Sequence, residues 1–354
     1  MRKSRLTFLG GLVLLTVIYA VSASSGTSTD KSMLGSNRDA AYFFTADEGG
    51  SITKVDVEKN TVVGIIKDNG VFHNVQVSPD GKILSAVFIP SIEGSSIDHG
   101  HGKHSEMKMN GYALFFDTST NKLIKKVEVG THPAHIVFTS EGKYALVTNN
   151  EDNNVSVIDT SSYEVKNLIG TGKGPHGFRI STDSRFAYVA NMGEDTVSML
   201  DIEGRVEVKK IKVGQTPVTT GITSDGKTMV ATINSENALA IVDLETGQLD
   251  KVDVGTGPAQ VYIGSDDRFA FVANQGTEQN PSNTLSKIDL SAKKVVATIQ
   301  TGKGAHGVVV SNDNNKVFVT NMFDNTVSVV DNTSNQVVAT VKVGNTPNGI
   351  TYLE

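Results

Sequence analysis

The residues with the most chemistry to offer are eight histidines, set in a chain of 354 residues that has no cysteine. Three of them form a tract, Asp98-His99-Gly100-His101-Gly102-Lys103-His104, with imidazoles at i, i+2 and i+5 and with Met107 and Met109 just beyond. A short His-rich run in a Gly-rich context binds metal on composition, and adjacent thioethers add a soft ligand that suits Cu(I). The other five, His73, His132, His135, His176 and His306, stand apart in sequence. Imidazole is the commonest protein ligand of zinc and copper, so these side chains read as candidates for a borderline metal ion. The absence of cysteine excludes disulfides, thiolate sites, iron–sulfur clusters and a cysteine nucleophile.

Other reactive motifs are missing. Gly170-Thr-Gly-Lys-Gly-Pro175 and Thr301-Gly-Lys-Gly-Ala305 do not fit the spacing of a phosphate-binding loop, and no helical pattern follows either of them. No Gly-x-Ser-x-Gly nucleophile elbow occurs. Glu151, Asp152, Glu194, Asp195 and Asp324 read as solvated loop charges.

The elements that must position the histidines are repeats. An Asp closes a short β-rich run seven times, at Asp56, Asp117, Asp159, Asp201, Asp243, Asp289 and Asp331, with spacings of 61, 42, 42, 42, 46 and 42 residues. A Gly-rich segment such as Gly130-Thr-His-Pro or Gly344-Asn-Thr-Pro, and a polar turn such as Ser78-Pro-Asp-Gly-Lys, recur in step with it. Each period holds four short runs rich in Val, Ile, Thr, Phe and Tyr, bounded by turn residues, and shows no helical periodicity. Four strands in about 42 residues is the signature of a β-propeller blade. The repeated Asp fall at hairpin turns, where turn capping explains them better than acid–base work.

The count fixes how the ring closes. There are seven Asp markers but six polar turns, so the blade that begins near Ala40 lacks its innermost strand. The expectation is a seven-bladed propeller over 40–354, with an insertion at about 90–110 in blade 2, closed by the C-terminal run Asn348–Leu353.

Leu146-Val-Thr-Asn149, Tyr188-Val-Ala-Asn191, Phe271-Val-Ala-Asn274 and Phe318-Val-Thr-Asn321 resemble YVTN-type propeller repeats, and Asp324-Asn-Thr-Val-Ser-Val-Val-Asp331 continues the pattern. The resemblance covers essentially all of 40–354 and implies the propeller fold. Its relatives are mostly extracytoplasmic, and include surface-layer-type proteins and chains similar to the d1-haem domain of nitrite reductases. Nitrous oxide reductase uses a comparable seven-bladed scaffold for copper. The resemblance implies no one activity.

On this scaffold all eight histidines map to one face. His73, His132, His135, His176 and His306 lie in or just after blade-to-blade segments, and His99, His101 and His104 lie in the blade 2 insertion. His73, His176 and His306 align at the beginning of the innermost strands of blades 2, 4 and 7, where the other blades carry Ala134, Val218, Ala259 and Asn348. The expected central site is therefore these three imidazoles at the tunnel mouth. Hydrogen bonding of the blade-to-blade turns is the competing role for them, and Met192 and Met322 on the same face read as packing residues.

Residues 1–39 are of another kind. Arg2, Lys3 and Arg5 precede an apolar run, Leu6–Val21, and Val21-Ser22-Ala23 offers a cleavage site, the pattern of a secretory signal with cleavage near Ala23. Residues 24–39 are Ser/Thr/Gly-rich and read as a flexible linker. Cleavage would take the formal charge from −6 to −9, which argues against nucleic acid as a partner. The expectation is thus a periplasmic or secreted propeller, without a membrane span once mature, whose His-rich face binds copper or zinc ahead of haem. The alternatives are a metalloenzyme or haem-handling protein on the same scaffold, and a protein-interaction platform.

Overall fold

A computed structural model describes residues 40–91 and 109–354. Twenty-eight strands among these residues form seven four-stranded antiparallel sheets. The proposed signal segment and most of the His-rich insertion, including His99, His101, His104 and Met107, lie outside the described residues. No described helix is long and apolar enough to cross a membrane.

Blade 1 is ordered Pro347–Leu353, Tyr42–Asp47, Ser51–Asp56, Thr61–Lys67, so the last strand of the chain is its innermost one. It pairs antiparallel with the first strand through Tyr42↔Leu353 to Asp47↔Pro347. The other six blades run outward in sequence order, with innermost strands Gly70–Val77, Pro133–Phe138, Pro175–Ile180, Pro217–Ile222, Pro258–Ile263 and Ala305–Val310 in blades 2 to 7. These innermost strands contact one another in a closed circle around the axis.

Packing follows the two-residue period of a strand. The middle strands are buried on both faces, so they read as continuous apolar runs, whereas outermost strands such as Gln336–Lys342 alternate exposed residues with half-buried or buried ones. Seven apolar clusters lie between the seven pairs of neighbouring blades. Consecutive Phe43 and Phe44 feed clusters on opposite sides of blade 1, the first with blade 7 and the second with blade 2. Phe43 meets Phe318 at 5.2 Å between ring centroids. Each such buried ring contributes about 1.5–3 kcal/mol of transfer free energy, which here goes into ring closure.

The repeated Asp are turn caps, as their placement in the sequence suggests. In all seven blades the carboxylate accepts a backbone N–H three residues on, as from Lys59 to Asp56 and Ser334 to Asp331. Each turn then needs a left-handed residue, and Asn60, Asn121, Tyr163, Arg205, Gly247, Lys293 and Asn335 supply it.

The Thr and Asn of the YVTN-like runs have separate jobs. The Asn ties its own hairpin: Asn191 Nδ2 donates to Thr196 Oγ1 and Ser198 Oγ, and Asn321 Nδ2 to Thr326 Oγ1 and Ser328 Oγ. The Thr ties one blade to the next. Thr148 Oγ1 accepts from the His135 N–H and donates to the His176 carbonyl, and Thr232 repeats this between Thr219 and Ala259. In blade 1 the Asn is replaced by Asp47, a fully buried carboxyl that accepts from Thr45, Ser51 and Thr53 hydroxyls. Burial pushes Asp47 up to about 6, against the lowering effect of those hydroxyls and of the Gly344 N–H.

Candidate metal centre

The site begins with an irregularity in the innermost strands. In blades 3 to 7 two residues oppose one between the first and fourth positions, for example between Pro133 and Ile136 and between Pro175 and Phe178. Blade 2 has the same irregularity between Phe72 and Asn74. Such a bulge re-aims the side chains it carries, so neighbours no longer simply alternate. His73, His176 and His306 occupy one bulge position, and His135 occupies the next one along.

Three imidazoles converge there. His73, His135 and His176, from the consecutive blades 2, 3 and 4, each offer a ring nitrogen, and these nitrogens all lie within 4.8 Å of one another. All three residues are buried, at 7%, 1% and 4% relative exposure. The rings meet at steep angles: 87° between His73 and His176, 75° between His73 and His135, and 59° between His135 and His176.

Neighbouring groups set which nitrogen is presented. His73 Nδ1 lies 2.8 Å from Glu48 Oε1, on the turn after the first strand of the chain, and Asn348 Nδ2 donates to that same oxygen at 2.8 Å. Burial alone would raise the Glu48 carboxyl. Its hydrogen bond with and attraction to His73, together with the Asn348 amide, outweigh this and hold it below the usual range. His176 Nδ1 lies 3.2 Å from the Val218 carbonyl. Both Nδ1 atoms thus face acceptors, which places the protons there and the lone pairs on Nε2. The two Nε2 atoms are 3.3 Å apart.

His135 is different, because neither of its ring nitrogens has a hydrogen-bond partner among the described residues. Burial drives its pKa well below the ordinary histidine value, and the charges of His73, Arg179 and His306 push the same way. It is a neutral, buried, unpartnered base.

Of the other histidines among the described residues, His306 is close enough for its charge to act on His135 and Glu48, and His132 lies apart. His306 Nδ1 lies 3.3 Å from the Asn348 carbonyl, and His306 is not among the three whose nitrogens converge. The set drawn from aligned positions and the set brought together in space therefore differ in one member, His135 standing where His306 was expected. His132 is half-exposed at a left-handed position (φ 51°), with Nδ1 3.8 Å from Glu151. Met109 is half-buried before the third strand of blade 2. Met322 is buried and accepts from Gln275 Nε2, a packing role. Glu48 and Asn348, which support His73, were not singled out as functional from sequence.

The sequence profile of the YNCE-like beta-propeller family matches residues 118–281 and 277–354, more than half of the chain. The chain belongs to this family. The YNCE-like propeller is similar in fold to Kuenenia stuttgartiensis hydrazine synthase, at 20% identity and a TM-score of 0.68, over 82% of this chain and 91% of that one. It is also similar to a functionally unknown protein from Desulfotomaculum acetoxidans, at 13% identity and a TM-score of 0.72, over 88% and 99% of the two chains. At such identities the likeness concerns the fold alone. No curated protein sequence matches.

Proposed function

We propose that this YNCE-like propeller is an extracytoplasmic binding protein that holds one zinc or copper ion through His73, His135 and His176. The observation that carries the reading is the convergence of three buried ring nitrogens within 4.8 Å, one of them on an imidazole with no other partner. Two facing Nε2 lone pairs 3.3 Å apart repel unless a proton or a cation joins them. A tetrahedral ion with metal–nitrogen bonds of about 2.0–2.1 Å places its ligands about 3.3–3.4 Å apart, the separation observed for this pair.

The surroundings suit such an ion. A ligating imidazole needs its second nitrogen held, and Glu48 and the Val218 carbonyl do this for His73 and His176. His135 is neutral, so no proton competes with the metal there. Three neutral nitrogens suit zinc and copper and disfavour magnesium or calcium, which take oxygen ligands. The spacing fits a single ion rather than a macrocycle, which ranks haem behind both metals. The extracytoplasmic assignment rests on the signal pattern at residues 1–23.

The test is elemental analysis of purified protein loaded with zinc or copper and desalted, in parallel with the His73→Ala/His135→Ala/His176→Ala variant. To separate the central site from the His-rich tract, His99, His101 and His104 are replaced by Ser in both proteins. About one retained ion per chain, lost in the triple variant, is expected. Equal retention by the two proteins would sink the central site.

A further inference from the structure

The innermost strands of blades 5, 6 and 1 also carry unpaired polar groups. The residues equivalent to His135 are Thr219 in blade 5 and Gln260 in blade 6, 1% and 3% exposed. Thr219 Oγ1 and Gln260 Nε2 have no hydrogen-bond partner among the described residues, and neither does Asn348 Oδ1 of blade 1. Thr219 Oγ1 stands against Gly177, the residue after His176, where a Cβ would collide with it. A buried polar group left unpaired costs about 1–3 kcal/mol, so orphan groups from four blades gathered in one ring call for a ligand.

The same ring has a cation beneath it. Arg179 lies two residues beyond Gly177 on the innermost strand of blade 4, with Nη1 2.9 Å from the Phe178 carbonyl. Its guanidinium carbon is 5.6 Å from the Tyr262 ring of blade 6. The equivalent residue of blade 5, the blade between them, is Gly221.

We propose that this ring binds a small oxyanion, one oxygen on the metal ion and others accepting from Gln260 Nε2 and Thr219 Oγ1, with Arg179 as counter-charge. The inference rests on the metal reading of His73, His135 and His176. Three neutral imidazoles leave a divalent ion its full charge and leave a fourth tetrahedral position open. Arg179 adds to the positive field. The amide N–H and the hydroxyl on the neighbouring innermost strands are donors that oxygen lone pairs satisfy and that an apolar ligand would leave unpaired. Asn348 Oδ1, the orphan acceptor, suits the O–H of a bound water or of a protonated anion.

The full chain with its tract histidines replaced is loaded with Co(II), whose visible spectrum reports coordination, and cobalt content is measured first. The protein is then titrated with sodium nitrite at ionic strength held constant with sodium perchlorate. A saturable spectral change is expected. Gln260→Leu and Thr219→Val should each weaken nitrite by about tenfold, the loss of one hydrogen bond to a charged group, with cobalt content unchanged. Cobalt retained with no response to nitrite, or both variants responding like the parent, overturns the oxyanion site and leaves the metal site standing. No cobalt retained overturns the metal reading, and the oxyanion site with it.

Discussion

Glu48 Oε1 and His73 Nδ1, both buried, lie 2.8 Å apart across the junction between blades 1 and 2. A carboxylate in that position fixes the imidazole tautomer and raises its basicity as a ligand. Glu48→Gln keeps the size of the side chain and removes the charge. It is expected to weaken zinc by about 10–100-fold without changing saturating stoichiometry. Competition with a chromophoric chelator measures this, and an unchanged affinity would show that the pair only packs.

His135 sets ligand binding against stability. Replacing an unpartnered buried imidazole by Leu removes polar atoms that have no compensation in the metal-free protein. The His135→Leu variant should be more stable than the parent in EDTA by about 1–3 kcal/mol, and should not show the rise in Tm with zinc that the proposed site predicts for the parent. Thermal unfolding with EDTA and with zinc tests both halves. A variant less stable than the parent in EDTA would mean that His135 makes an essential packing contact.

Asp47 predicts a pH dependence of opposite sign to the usual carboxylate. Its folded pKa of about 6 lies above the ordinary aspartate value of 3.8, so the folded state binds the proton more tightly. The resulting penalty is absent below about pH 4, grows between the two values, and is complete above about 6, reaching about 3 kcal/mol at most. Asp47→Asn, which restores the residue used in blades 3, 4, 6 and 7, should therefore raise Tm at pH 7.5 and change it little at pH 4. Equal shifts at the two pH values would contradict the burial argument.

The hairpin ties should be separable from the site. Asn191→Ala removes donors to Thr196 and Ser198 in blade 4 and leaves no compensating group. A loss of about 1–3 kcal/mol in denaturant unfolding is expected, with metal stoichiometry retained in the folded protein. Loss of metal in a protein that remains folded would mean that the tie reaches the site.

The ring was legible in the sequence because each blade repeats its turn chemistry. The Asp cap and the left-handed residue that follows it are local requirements, so they recur at 42-residue spacing wherever the blade does. The site was less legible because it depends on contacts between blades. His73 and His176 occupy equivalent positions, so the repeat alignment picks out both. His135 sits one residue later, and simple two-residue alternation sends neighbouring side chains to opposite faces; the bulge cancels that rule. Glu48 carried a usable signal. It is an acid directly after a second strand, where blades 3 to 7 have Asn150, Met192, Asn234, Gln275 and Met322. Thr219 and Gln260 carried none, since an uncharged residue announces no chemistry until its partners are found missing.

The hydrogen bond between Asn348 and Glu48 spans 300 residues of chain. The strand Pro347–Leu353 must come back to the strand Tyr42–Asp47 before that bond can form, and only then is the support of His73 complete. Blades 2, 3 and 4 can bring their imidazoles together earlier, but as a loose chelator. On the proposed metal reading, tight capture of an ion would then mark the end of folding, and a half-folded chain would release an ion that the closed ring would hold.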